Sequence, residues 1–183
     1  MSSSIARQWD RNFESRLKSS RILSAYLLIL LSASFGFAPD GQPTVDKVLV
    51  IKHERKLQLL SRGKPVRTYK VALGIEPVGP KRKQGDHRTP EGAYLLDSRN
   101  ARSQFYKSIH ISYPNQQDKA RAAAAHVSPG GDVFIHGLPN GYGAIGSAHR
   151  LRDWTDGCIA VTDSEMDEIW SLVRNGTPIE IRP

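Results

Sequence analysis

The sequence has a single cysteine, Cys158, among its 183 residues, and this scarcity excludes an internal disulfide. It also excludes zinc sites built from several cysteines, and neither a His-Glu-x-x-His pattern nor a phosphate-cradling glycine loop is present. We therefore expect no metal ion and no cofactor. A lone thiol in an oxidising compartment is a liability unless it is buried, paired between chains or used chemically. The cysteine count alone leaves a buried structural role and a reactive role open.

Acidic residues are scarcer than basic ones, 18 against 26, which gives a formal net charge of +8. Residues 1–38 carry five of the basic and two of the acidic residues, so the remaining chain is less basic than the whole. Such a charge is compatible with a nucleic-acid binder or with a protein that works near an anionic polymer or membrane surface. The densest basic cluster, 81–83, lies in a stretch rich in glycine and proline and lacks interleaved aromatic residues. We expect a solvated loop there and no nucleic-acid partner.

Long hydrophobic runs are absent except near the N-terminus, where basic residues precede an apolar run over 22–31 and small residues follow up to Ala38. This order is typical of a secretory signal. The segment 22–38 is short and polar for a full membrane span, which needs about 20 apolar residues. The sequence predicts a signal peptide or uncleaved signal anchor over 1–38, a linker over 39–44 and one domain over 45–183. We expect an exported, periplasmic or envelope-associated protein, with an uncleaved anchor as its sole membrane contact.

The domain is predicted to be mainly β, because short β-branched and apolar segments alternate with turn residues. A helix is predicted after Thr162, which forms a capping box with Glu165, and Met166 and Trp170 are expected on its buried face. A second, short helix is predicted over 120–125. These elements predict a single β-sandwich or partly closed barrel with one or two short helices. The predicted strands cover 45–51, 57–60, 66–73, 94–96, 109–113, 133–135 and 177–181.

Two segments carry residues suited to chemistry. His136 ends a short apolar strand, and Cys158 follows Gly157 directly before another apolar stretch. A free thiol is mostly protonated at neutral pH, and a neighbouring imidazole can accept its proton. A glycine beside the cysteine allows backbone N–H groups to approach a developing oxyanion. From spacing alone, a buried cysteine and an unrelated histidine remain the alternative. The connection over 138–152 is a long loop, and loops of this length are often functional.

These segments resemble the L,D-transpeptidase catalytic domain of the YkuD type. His136-Gly137 is similar to the base segment of that family, and Thr155-Asp156-Gly157-Cys158 is similar to its nucleophile segment. Thr-Pro-Glu-Gly at 89–92 and Gly-Thr-Pro-Ile at 176–179 are similar to two further family turns, and the resemblance covers about 45–182. It implies that Cys158 is the nucleophile and His136 the proton acceptor and donor. It also implies that the Gly137 carbonyl orients His136 and that the N–H groups of Gly157 and Cys158 bind the oxyanion.

The resemblance implies acyl transfer through a thioester on peptidoglycan stem peptides, at a bond between diaminopimelate and a D-amino acid. This chain departs from the family pattern at two positions. The family often has histidine where this chain has Asp156, and arginine or asparagine where it has Ala160. These differences leave open whether the reaction ends in transfer or in hydrolysis. The sequence around Cys158, residues 153–161, is more similar to a divergent branch of the family that includes enzymes releasing envelope proteins from peptidoglycan. Hydrolysis of a peptidoglycan–lipoprotein link and a non-catalytic wall-binding module are therefore the alternatives. Asp156 should oppose thiolate formation unless it pairs with Arg152 or another arginine.

Four residues of the connecting segment and its end are expected to line the substrate groove: Tyr142, His149, Arg152 and Trp154. His149 is the alternative to His136 as the base, and Trp154 fits a packing role equally well. The other histidines are expected to be structural or solvated. We expect a monomer whose partners are peptidoglycan stem peptides and a wall-linked lipoprotein.

Overall fold

The computed structural model describes residues 44–183. The predicted signal or anchor over 1–38, and the linker up to residue 43, lie outside the described residues. Among residues 44–183, none of the helices has the length and hydrophobicity that a membrane-spanning segment requires. The described elements are β1 (Lys47–Ile51), β2 (Lys56–Ser61), β3 (Lys64–Lys70), β4 (Gly92–Ser103), β5 (Tyr106–Ile111), α1 (Gln116–Ala124), β6 (Val133–His136), a 3-10 segment (Gly143–Leu151), β7 (Ile159–Ala160), α2 (Asp163–Leu172) and β8 (Thr177–Arg182).

The strands form one sheet in the order β3-β2-β1-β8-β4-β5-β6-β7. The pairs β1–β8 and β6–β7 are parallel, and the other neighbours are antiparallel. Beyond β3, Ala72 exchanges two backbone hydrogen bonds with Ala160 of β7, with N···O distances of 3.0 and 2.9 Å. Because these bonds join the two ends of the strand order, the sheet curls into a half-barrel. The predicted mainly β fold with few short helices is confirmed.

The core lies on one face of this curled sheet, as the alternating strand pattern requires. Val48 and Val50 of β1 are fully buried, and α2 covers the sheet with Met166 and Ile169, which are also fully buried. Each such side chain contributes about 1.5–3 kcal/mol through removal from water. Trp170, which was predicted in the core, lies partly buried at its margin with the Arg99 guanidinium 3.9 Å above its ring.

The structure corrects several predicted boundaries. Strand β4 extends to Ser103, far beyond the predicted 94–96, because its polar second half pairs with β5 in a long hairpin. Helix α1 begins at Gln116 rather than 120, because Asn115 and Asp118 form a capping box that the sequence analysis did not identify. The predicted loop over 138–152 contains the 3-10 segment Gly143–Leu151.

Candidate active site

The base candidate, His136, is the last residue of β6, where its strand neighbours are Ser108 of β5 and Ala160 of β7. Its side chain is only 4% exposed. The ring centroid lies 4.6 Å from that of Phe105 and 5.8 Å from that of Trp154. The imidazole is therefore held by aromatic packing at the end of a strand in the sheet rather than on a mobile loop.

The next residue, Gly137, controls the protonation of this imidazole. His136 Nδ1 lies 2.7 Å from the Gly137 carbonyl oxygen, which can only accept a hydrogen bond. Nδ1 must therefore carry the proton, and the lone pair of Nε2 is left available. Burial lowers the pKa of His136 from 6.5 to about 4, while the bond to Gly137 acts in the opposite direction. The side chain is thus a neutral base at pH 7.

The nucleophile segment is anchored to the chain that follows β3. The Asp153 carboxylate accepts a hydrogen bond from the Leu73 N–H at 2.9 Å and pairs with Arg55 Nη2 at 2.9 Å. Further along, the Ile75 N–H donates to the Thr155 carbonyl at 3.0 Å. These contacts place the segment beside the end of β6, from which residues 137–152 separate it along the chain.

The turn itself is closed by Thr155, whose hydroxyl donates to the Cys158 carbonyl at 2.7 Å and accepts from the Gly157 N–H at 3.1 Å. Gly157 has φ +125°, and a Cβ there would lie 2.6 Å from the Arg88 carbonyl oxygen, so only glycine fits. The Gly157 N–H, for which the family resemblance implies a role in binding the oxyanion, already donates to Thr155 in this structure. For the Gly157 N–H to donate to an oxyanion, its hydrogen bond to the Thr155 hydroxyl must first break.

Cys158 and His136 line the same cavity, which has a volume of about 460 Å³. The Cys158 side chain is partly exposed, and its Sγ lies 3.7 Å from the Asp132 carbonyl oxygen. The two residues predicted to react together are therefore brought to one concave surface. The structure also adds side chains from the β4–β5 hairpin to the wall of this cavity, namely Asn100, Gln104 and Phe105.

Burial raises the pKa of the Cys158 thiol, and the negative charges of Asp156 and Asp132 act in the same direction. The backbone N–H of Phe134 and the ammonium group of Lys81 lower it. Because the pKa of the imidazole is also depressed, the resting pair is a neutral thiol and a neutral imidazole. The resting site therefore differs from one that stores a preformed thiolate–imidazolium ion pair.

Asp156 lines the same cavity and has an unexpected partner. Its Oδ1 lies 2.8 Å from His87 Nδ1, so the pairing with an arginine that the sequence left open is replaced by a histidine. His87 could not be predicted as this partner, because it precedes Asp156 by 69 residues and no local pattern links the two. His87 has a φ of +54°, so the backbone adopts a left-handed conformation at this residue.

The four predicted groove residues line a second cavity of about 480 Å³: Tyr142, His149, Arg152 and Trp154. Trp154 also borders the cavity of Cys158, and its Nε1–H donates to His149 Nδ1 at 3.3 Å. His149 lines only the second of these two cavities, so its position does not favour its use as the base. Within residues 44–183 no group of three His, Cys, Asp or Glu side chains is arranged to hold a metal ion.

Comparison with known proteins adds sequence and structural relatives. Residues 46–181 match the family described as YkuD, the L,D-transpeptidase catalytic domain. A protein of Escherichia coli K12 named "Putative L,D-transpeptidase YafK" is 31% identical over 133 residues, which cover 69% of this chain and 46% of that protein. The matched region thus spans about half the length of this relative.

Among the solved structures that resemble this fold are two from other bacteria. The helical cell shape determining protein Pgp2 from Campylobacter jejuni is 26% identical with a TM-score of 0.58, covering 76% of this chain and 48% of that one. Bd1075 from Bdellovibrio bacteriovorus is 25% identical with a TM-score of 0.55, covering 75% and 48%. Since the family match extends over nearly all of the described residues, the chain belongs to the YkuD family of L,D-transpeptidase catalytic domains.

Proposed function

We propose that this protein is a cysteine-dependent L,D-transpeptidase that acts on peptidoglycan stem peptides through a thioester intermediate. The observation that carries the proposal is the meeting of Cys158 and His136 in one cavity, with His136 Nδ1 tied to the Gly137 carbonyl. Family membership supports the substrate class. The protein acts outside the cytoplasm, with residues 1–38 as the export signal or anchor.

The first half of the reaction forms the acyl-enzyme. His136 Nε2 takes the proton of the Cys158 thiol as the sulfur attacks the carbonyl carbon of the bond to the terminal D-amino acid. The resulting oxyanion is bound by the Cys158 N–H, for which no acceptor is found within residues 44–183, and by the Gly157 N–H once it leaves Thr155. The C–N bond then breaks, and the departing amine receives the proton from His136.

The second half releases the acyl group. An acceptor amine attacks the thioester while His136 removes its proton, and the sulfur leaves and is reprotonated. A stem-peptide amine gives a crosslink, whereas water gives hydrolysis, including release of a wall-linked lipoprotein. Tyr142, Arg152 and Trp154 border the second cavity, and we assign them to substrate binding because Trp154 joins that cavity to the catalytic one.

Mass spectrometry of the purified full-length chain with defined muropeptides tests this function. One sample contains crosslinkable stem peptides, and the other contains lipoprotein-linked muropeptides. We expect turnover of at least one substrate by the wild type and none by Cys158→Ala. The product masses distinguish transfer from hydrolysis.

The role of His136 is tested with His136→Ala, for which we expect a loss of about 10²–10⁴-fold in turnover. His53→Ala is the matched control, since that histidine is exposed and lines neither cavity. Covalent labelling by a carbapenem that depends on Cys158 is expected as well. Equal turnover by His136→Ala and wild type would remove His136 from the mechanism, and absence of both labelling and turnover would leave a wall-binding module.

A further inference from the structure

A buried lysine lies next to the nucleophile turn. The Lys81 side chain is 5% exposed, and its Nζ lies 2.8 Å from Asp86 Oδ1. Lysine is almost never so buried unless it is paired. Although burial raises the pKa of Asp86, hydrogen bonds from three backbone N–H groups and from Lys81 lower it to about 2. Asp86 is therefore ionised at neutral pH, and it forms a charged pair with Lys81.

The position of this pair relative to Cys158 follows from Gly157. A Cβ placed on Gly157 would lie 3.9 Å from Lys81 Nζ, so the ammonium group packs directly behind the turn that carries the nucleophile. Lys81 does not line the cavity shared by Cys158 and His136. We therefore expect its effect on the reaction to act through the Gly157–Cys158 turn.

The charges around Cys158 define what that effect is. Asp156 and Asp132 oppose ionisation of the thiol, and the Asp156 charge is shared with His87. His136 is neutral at pH 7, as described above. Among the charged groups that act on the thiol, Lys81 is a cation and favours the thiolate, whereas Asp156 and Asp132 oppose it.

We propose that Lys81 is a positioning residue that stabilises the ionised form of Cys158 from behind the Gly157–Cys158 turn, with Asp86 holding its ammonium group in place. No proton moves to or from Lys81. Its positive charge offsets part of the energetic cost of forming a negative charge on the buried sulfur. The inference rests on the proposed function, because it gives the thiolate of that reaction its electrostatic support.

The test measures the ionisation of Cys158 without any wall substrate. Because the chain has one cysteine, the rate of iodoacetamide alkylation against pH reports this thiol alone. In Lys81→Gln, which retains a hydrogen-bonding group for Asp86, we expect the thiol pKa to rise by about one unit. That rise corresponds to about tenfold slower alkylation at pH 7. Lys81→Met is the second neutral variant.

Two controls separate charge from folding. Lys81→Arg keeps the charge and should retain most of the wild-type thiol pKa, whereas Lys83→Gln removes one charge from an exposed position of the same loop and should leave it unchanged. Thermal unfolding of each variant verifies that the domain is folded. An unshifted thiol pKa in a folded Lys81→Gln or Lys81→Met variant, or an equal shift in Lys83→Gln, overturns the inference. A wild type that alkylates as expected but leaves muropeptides intact would contradict the proposed function alone.

Discussion

Gly157→Ala is the substitution for which the structure makes the sharpest prediction. At φ +125° an alanine is strained, at a cost of about 1–3 kcal/mol. Its Cβ would also lie 2.6 Å from the Arg88 carbonyl oxygen, a backbone atom that cannot rotate away. Relief of this contact must move the turn, which adds about 1–3 kcal/mol, the cost seen when extra atoms are forced into a packed site. We expect a total loss of about 2–6 kcal/mol in the free energy of unfolding.

The matched control is Gly176→Ala. Gly176 also has a positive φ, +84°, but an added Cβ would meet nothing within 4 Å. We expect only the conformational cost there, about 1 kcal/mol. Urea denaturation of both variants gives the two free energies, and iodoacetamide alkylation reports whether Cys158 has moved.

The expected result is a larger loss of stability in Gly157→Ala together with a changed alkylation rate of Cys158, while Gly176→Ala alkylates like the wild type. Equal destabilisation by both substitutions, with unchanged thiol reactivity in both, would refute the packing of Arg88 against this turn.

Two further predictions concern ionisation. His136 becomes protonated near pH 6.5 in the unfolded chain but only near pH 4 in the folded chain. The stability that comes from keeping this imidazole neutral is therefore complete above pH 6.5 and is lost as the pH falls to 4. Urea denaturation from pH 7 to 4 should show a drop about 3 kcal/mol larger in the wild type than in His136→Gln, and parallel curves would contradict the burial of a neutral imidazole. Asp156→Asn should speed Cys158 alkylation at pH 7 by about threefold at low salt, because it removes an opposing charge. Asp97→Asn is the control, because Asp97 pairs with His110 in a similar way but lies outside the cavity, and it should leave the alkylation rate unchanged. Equal alkylation rates for the two variants would exclude an effect of the Asp156 charge.

Helix α2 and the first and last strands could be predicted because their signals are local. Thr162 and Glu165 lie three residues apart, and both halves of the predicted capping box are present. The polar half of β4 could not be predicted, since its residues lack alternation and become a strand only through pairing with β5. For the same reason the hairpin residues Gln104 and Phe105 were absent from the predicted site, although they line the cavity that Cys158 and His136 share.

The sequence by itself determined the fold class and the family, and it singled out Cys158 and His136 as the candidate pair, because the motifs that carry the family resemblance are read from adjacent positions. Only the tertiary structure decided which charges surround the thiol. Lys81 and His87 reach the nucleophile turn from a loop about 70 residues earlier, since the chain after β3 bridges to β7 and folds that loop against Gly157. Electrostatic interactions depend on distance in space, and no spacing along the chain encodes the contacts that closure of the half-barrel creates.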